Sequence, residues 1–294
     1  MENQTPGYRL FLIGSEASRA MSPGLWSPVF EQLGSSWTYE AWDVPAGQDM
    51  AGVRAALLGA DVVAANVTMP HKQWAARTAD TVTGQVRLSG ASNMLVRRGR
   101  TLTAHNTDIT AVAELLGNRH QRHALMLGAG GAARAALIAL RGLTGKVTVT
   151  DRDPQASQQL LDLAASLGMD ASSVTWAEAQ DQAPQASLIV NATPIGKGND
   201  DEPAWGRAKL SPDAFVYDFV YAGHVTATIA SARAQSVECA DGGDHLRAQA
   251  AAMIPILGLA PATGTLLGQT LTPSKRKTDL PRTPPSASAG AMPP

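Results

Sequence analysis

Three polar clusters punctuate the first part of the chain: Asn66-Val67-Thr68-Met69-Pro70-His71-Lys72, Gly90-Ala91-Ser92-Asn93 and His105-Asn106-Thr107-Asp108. Each falls at the end of a predicted element rather than in the middle of a face. Asn66 and Thr68 alternate with apolar neighbours, so both side chains point to one side of a strand end. Lys72 follows Pro70 in the first turn of a helix pattern. A lysine held by a buried aspartate keeps its charge and gains a fixed position. Such a pair gives or takes a proton at a substrate hydroxyl or carbonyl. Taken singly, Lys72 reads as a solvated lysine and Asp108 as a helix cap. Only their combination points to chemistry.

A second feature is Gly128-Ala129-Gly130-Gly131-Ala132-Ala133, which fits G-x-G-x-x-A. It follows the apolar Ala124-Leu125-Met126-Leu127 and opens a helix pattern. Gly128 permits the tight turn, Gly130 lets backbone approach a pyrophosphate, and Ala133 allows close helix–strand packing. The helix N–H groups, Ala132 among them, face the phosphates. Asp151 lies about twenty residues on, at the end of the next strand, where a carboxylate accepts bonds from ribose hydroxyls. Asp151 disfavours a 2′-phosphate and Arg152 attracts one. Asp153 adds a second negative charge, so the local balance favours NAD over NADP.

The elements that must position these residues alternate. Strands are expected at 8–13, 38–44, 62–67, 123–127, 146–150, 187–190 and 214–219, and a hairpin around Gly99. Helices are expected at 25–33, 50–58, 107–116, 132–140, after Asp153-Pro154, at 225–234 and at 246–257. Strand–helix alternation with short connections reads as an α/β fold with a largely parallel sheet.

Composition narrows the function classes. The 294 residues suggest two domains, and 44% hydrophobic with 17% charged residues fits a soluble globular protein. Lys+Arg 24 against Asp+Glu 25 gives no basic excess for nucleic acid or an anionic membrane. Cys239 is alone, and the six His are scattered, so no metal site is expected. No apolar stretch reaches the ~20 residues of a membrane span, and the N-terminus lacks a secretory pattern. A cytoplasmic compartment is expected, with a monomer or homodimer as the oligomeric state. Residues 272–294, rich in Pro and Ser, read as a disordered tail.

The ordered set Ile13-Gly14, Met21-Ser22-Pro23, Asn66 to Lys72, Gly90 to Asn93, Asn106-Thr107-Asp108, Gly128 to Ala132 and Asn191-Ala192-Thr193-Pro194-Ile195-Gly196 resembles the shikimate/quinate dehydrogenase family. The resemblance runs from about Leu10 to Thr270. It implies an N-terminal α/β substrate-binding domain (1–107, rejoined by 243–271) and a Rossmann dinucleotide-binding domain (108–242). It implies an NAD(P)-dependent dehydrogenase acting on a hydroxyl or ketone of a small cyclic acid such as shikimate or quinate. Lys72 and Asp108 are then the catalytic pair. Ser22, Asn66, Thr68, Asn93, Tyr221 (in a D-x-x-Y motif) and Gln249 bind substrate, and Asn191, Thr193 and Pro194 form a cofactor-side loop.

Four positions depart from the family pattern. Ala20 replaces the first serine of S-x-S-P, Ile109 follows N-T-D in place of glycine, and Asp244-His245 replace Gly-Met. Asp244 reads as a cap of the helix expected at 246–257, and His245 as a partly exposed helix-start residue. Two other readings accommodate these departures: a dehydrogenase for a different ring, such as an aminoshikimate, and a non-catalytic NAD-binding sensor.

Overall fold

The computed structural model describes residues 8–198 and 202–270. The tail expected at 272–294 lies outside them. The first half builds β1 (Arg9–Gly14), α1 (Ser22–Gln32), β2 (Thr38–Asp43), α2 (Met50–Leu57), β3 (Val62–Val67), α3 (Lys72–Thr78), β4 (Thr81–Val82), α4 (Gly84–Ser89), β5 (Met94–Arg98) and β6 (Thr101–His105). These strands form one sheet in the order β2-β1-β3-β5-β6-β4. β1, β2 and β3 are parallel, β5 runs antiparallel to β3, and β6 turns back antiparallel to β5, so the sheet is mixed. Both faces of β1 are covered. Leu10 and Leu12 pack with Trp26 and Phe30 of α1, while Phe11 and Ile13 pack with Val53 and Leu57 of α2. An apolar run without alternation is what two-sided burial requires.

α5 (Thr107–Leu116) leaves this sheet and leads to the second. There follow β7 (Gln121–Leu127), α6 (Gly131–Ala139), β8 (Thr144–Thr150), α7 (Pro154–Ser166), β9 (Ala171–Ser173), α8 (Trp176–Gln182), β10 (Leu188–Asn191), β11 (Phe215–Asp218), α9 (Ala227–Ala234), β12 (Glu238–Ala240), α10 (Gly242–Leu257) and α11 (Ala262–Thr270). The strands β7 to β12 are all parallel, in the order β12-β11-β10-β7-β8-β9. Counted from β7, this is the doubly wound order of dinucleotide-binding sheets, with its switch point between β7 and β10.

Two helices tie the halves together. Ile109, Val112 and Leu116 of α5 pack into the second sheet's core with Met126 and Ala133. That packing explains the isoleucine after Asp108: position 109 is 3% exposed and filled by an apolar side chain. Ala250, Met253, Ile254 and Leu257 of α10 return to the first sheet's core beside Leu10 and Trp26. α10 begins at Gly242, four residues before the expected start. Asp241 caps it and Asp244 reciprocates: each carboxylate accepts the other's backbone N–H at 2.9 Å. Asp244 therefore serves the cap, as expected of it. Among the described residues no helix is long and apolar enough to cross a membrane, and no cluster of His, Cys, Asp and Glu is set to hold a metal.

Candidate active site

Asp108 is the second residue of α5, behind the N-cap Asn106, whose side-chain Oδ1 accepts the Ile109 N–H. Asp108 is thus not the cap, and its side chain is directed at other groups. A carboxylate in a first helical turn is favoured by the helix dipole. Asp108 Oδ2 accepts from Lys72 Nζ at 2.7 Å, and Oδ1 accepts from Asn93 Nδ2 at 2.8 Å. Burial alone would raise its protonation point. The Lys72 charge and the contacts from His245 overcome that and hold the carboxyl well below the usual range. Asp108 is therefore an anion throughout the neutral range, suited to orienting an ammonium and not to passing a proton. The Lys72 side chain remains 28% exposed against 12% for Asp108, so the ammonium keeps an open side.

A chain of polar groups extends from this pair into the first sheet. Asn93 Oδ1 accepts the Thr107 N–H at 2.8 Å, which locks the amide's orientation. Asn66 Nδ2 donates to the Asn93 carbonyl at 3.2 Å, and Tyr39 donates its hydroxyl to Asn66 Oδ1 at 2.7 Å. Ser22 bonds the Tyr39 oxygen in turn, while burial pushes the phenol well above its usual range. Ser22, Asn66 and Asn93, picked out by motif, thus belong to one hydrogen-bonded array. Tyr39 completes it and was not among the expected residues. Its one sequence signal is a tyrosine on an inward strand position, where the buried hydroxyl needs a partner. Thr68 stands at the end of β3 with its N–H on the Ile13 carbonyl. His71 of the same motif is turned away and buried, with Nε2 2.6 Å from the Val44 carbonyl. Ala20 packs against the core around Trp26 and offers no donor.

On the second sheet, Gly128 takes φ +102°, and a Cβ there would lie 2.9 Å from the Ala192 backbone. The glycine lets the β7 turn and the 191–196 loop meet at the switch point. A Cβ on Gly130 or Gly131 would meet nothing within 4 Å. Open space over those two residues, beside N–H groups that a helix start leaves unpaired, fits a dinucleotide pyrophosphate. The Ala129 N–H is used internally, donating to Asp151 Oδ2 at 2.7 Å, and Asp151 Oδ1 accepts the Asp153 N–H at 2.9 Å. Asp153 in turn caps α7 through Gln155 N–H. Its charge serves the helix and not the turn, which corrects the count of two acids against one base. Asp151 then faces the exposed Arg152 on equal terms.

Asn191, expected on the cofactor side, is fully buried. Its amide donates to Ile195 O and Asp218 Oδ1, and its carbonyl oxygen accepts from Thr193 N–H and Oγ1. It shapes the loop instead of reaching out. Thr193 is half-buried and Pro194 exposed on that loop. Asp218, wholly buried, accepts from Thr226 and Val220 as well, and burial pushes it up to about 6. Gly242 allows α10 to start against the segment that follows β11, since a Cβ there would run into the Val220 backbone carbonyl. Tyr221, Arg233, Asp241, Asp244 and Arg247 line a cavity of about 520 Å³ at that junction. Gln249 is half-buried, one turn beyond His245 on the same side of α10.

His245 is the partly exposed helix-start residue it was expected to be, but it also reaches the Lys72–Asp108 pair. Its side chain is only 14% exposed, with Nε2 3.4 Å from Asp108 Oδ1 and Nδ1 2.7 Å from the Tyr217 hydroxyl. The early start of α10 puts residue 245 a turn inside the helix, where it meets α5 and β11.

Comparison with known proteins agrees with this geometry. Residues 12–95 match the family model for the shikimate dehydrogenase substrate binding domain. The chain is 36% identical over 267 residues to a shikimate dehydrogenase (NADP(+)) of Citrifermentans bemidjiense, covering 87% of this chain and 91% of that one. Its fold resembles quinate dehydrogenase from Corynebacterium glutamicum in complex with NAD (TM-score 0.81, 27% identity, covering 90% of this chain and 99% of that one). It also resembles shikimate 5-dehydrogenase from Thermus thermophilus in complex with NADP(H) and shikimate (TM-score 0.75, 28% identity, covering 90% and 99%). With that identity sustained along nearly all of both chains, and both sheets matched in solved structures, this chain belongs to the shikimate dehydrogenase family.

Proposed function

We propose that this protein catalyses reversible hydride transfer between a nicotinamide dinucleotide and the carbinol or ketone carbon of a cyclic polyhydroxy acid of the shikimate or quinate kind. The observation that carries this reading is the Lys72–Asp108 contact at 2.7 Å, with the ammonium part-exposed. A non-catalytic sensor has no need of that pair. The cofactor, when bound, supplies or takes the hydride. Lys72 gives its proton to the carbonyl oxygen in reduction and takes it back in oxidation. Asp108 holds Lys72 in place. Ser22, Asn66, Thr68, Asn93, Tyr221 and Gln249 are the donors and acceptors proposed for the ring hydroxyls and carboxylate. Each unsatisfied buried partner costs on the order of 1–3 kcal/mol, so Ala20 makes the carboxylate end weaker in this chain and leaves room for an altered ring. The division into 1–107 with 243–271, and 108–242, is proposed on the same basis.

For the cofactor, the relatives' names favour NADP. Gly128, Gly130, Gly131 and Ala132 would cradle the pyrophosphate, and exposed Arg152 would meet the 2′-phosphate. NAD is the second reading, favoured by the Asp151 carboxylate at the end of β8 and by the quinate dehydrogenase complex. Arg152→Ala decides between them. If NADP is used, its KM for that cofactor rises by about tenfold or more while NAD kinetics are unmoved. No change with either cofactor removes Arg152 from the site.

The principal test is a panel of cyclic acids with each cofactor, read as reduced-cofactor absorbance. Wild type turns over at least one of them. Lys72→Ala loses ~10² or more in kcat with cofactor affinity retained. Turnover of none returns the protein to the sensor reading, and near-normal turnover by Lys72→Ala removes the lysine from the mechanism.

A further inference from the structure

His245 takes no part in the reaction as written above, yet it touches the one group that holds Lys72. Three residues converge on its ring. Asp108 comes from α5, with Oδ1 at 3.4 Å from Nε2. Tyr217 comes from β11, with its hydroxyl at 2.7 Å from Nδ1. Phe219, just past β11, places its ring 4.7 Å away, centroid to centroid. Tyr217 is wholly buried.

Donor and acceptor chemistry orders these contacts. An ionised carboxylate only accepts, so Nε2 carries the hydrogen that faces Asp108. In the neutral ring Nδ1 is then an acceptor, and the Tyr217 hydroxyl donates to it. The bonds run in one direction, from Tyr217 through His245 to Asp108, whose other oxygen receives Lys72. A contact of 3.4 Å is long, as such contacts often are before substrate closes a site. Asp108 already has Asn93 on Oδ1, so His245 is the second donor to that oxygen; it comes from α10 and is tied to the second sheet through Tyr217 of β11. Asn93 ties the carboxylate to the substrate-side sheet, and His245 with Tyr217 ties it to the cofactor-side sheet.

We infer that His245, held by Tyr217, is a positioning residue for the Lys72–Asp108 pair, coupling the proton-exchanging lysine to the sheet that seats the cofactor. The inference rests on the dehydrogenase reading above. The charged or titratable groups around the ring are Asp108 on α5, Lys72 on α3 and Tyr217 on β11, with Asp244 and Arg247 beside it on α10. Taking the imidazole away relieves Asp108 of one donor. The carboxylate then bonds the ammonium more strongly, and alcohol oxidation, which needs that lysine unprotonated, requires higher pH.

The test uses three variants of the full chain: His245→Met, His245→Gln and Tyr217→Phe. His245→Met keeps an unbranched side chain without a donor, and its kcat falls about tenfold, less than the ~10² of losing an acid–base group outright. KM for substrate and cofactor stays within about twofold, and the acid limb of kcat for oxidation moves to higher pH. His245→Gln, which retains an N–H donor, recovers most of the lost kcat and the limb position. Tyr217→Phe gives a smaller loss in the same direction. Unchanged kcat and pH profile in His245→Met overturn the proposal. So does a loss that follows Tm in all three variants without a shifted limb, which marks plain packing. Nitrogen NMR of the ligand-free protein gives a reading independent of turnover. The expected result is an Nε2–H tautomer that is retained in Asp108→Asn, whose amide oxygen still faces the ring, and the other tautomer overturns the proposal. If the wild type oxidises no cyclic acid while the tautomer is as expected, the dehydrogenase reading fails and the coupling of the three elements stands.

Discussion

Replacing Asp108 by asparagine keeps the side chain's volume and removes its charge. The carboxylate accepts from three donors: Lys72 at 2.7 Å, Asn93 at 2.8 Å and His245 at 3.4 Å. An amide has one acceptor oxygen. If that oxygen faces Asn93 and His245, the new NH2 group points at the Lys72 ammonium. If it faces Lys72, the NH2 group meets the Asn93 amide hydrogens. Asn93 is 3% exposed and cannot turn to water. The Lys72 side chain, at 28%, can. The first orientation is therefore the cheaper, and Lys72 swings outward. Losing one partner of a buried ion pair costs about 3–5 kcal/mol, and partial solvation of the lysine brings this to about 2 kcal/mol. A protein with an ordinary stability of ~5–15 kcal/mol stays almost wholly folded after that loss. Turnover behaves differently. A lysine no longer held at one point loses on the order of 10² in kcat, or about 2.7 kcal/mol of barrier. Initial rates in both directions, with urea unfolding of the same samples, separate the two effects. Turnover within about threefold of wild type would refute the reasoning.

Gly130→Ala and Gly128→Ala separate ligand space from folding space. The first places its methyl in the open region over the turn, so Tm is kept while cofactor affinity falls by about tenfold or more. The second forces a left-handed residue against the Ala192 backbone and lowers stability by about 2–4 kcal/mol; equal behaviour of the two in thermal melts and cofactor titration would contradict this. Asp218, pushed up to about 6 from a usual 3.8, binds its proton more tightly folded than unfolded. Stability is then greatest below the unfolded value and declines as pH rises towards 6, by about 3 kcal/mol in all. Asp218→Asn flattens that decline in urea titrations across this window, and an unchanged slope would count against the buried carboxyl as its source.

Short-range features were legible in the chain itself. The turn from Gly128 to Ala133 sits between an apolar strand and a helix, and those are the elements found there. The helix expected at 107–116 is found as Thr107–Leu116, stopped at Gly117. β3 occupies the apolar run 62–67. Other features were misread because their partners are distant. Asn191 looked like a loop residue facing the ligand, yet the buried Asp218, 27 positions later, draws it inward. α8 and α11 carried too short or too mixed a pattern to be read.

Residue types, spacing and local conformational preference were enough to give the strand–helix alternation, the glycine corner and the pairing of Lys72 with Asp108 as a hypothesis, because each depends on groups a few residues apart or on an ordered set of motifs. Which groups surround that pair depended on the packing of separate elements. Tyr39 reaches Asn66 because β1 lies between β2 and β3. His245 reaches Asp108 because α10 crosses α5 beside β11. Those contacts join residues 27 and 137 positions apart, and at such separations direction and distance are set by how the buried apolar faces of sheets and helices fit together.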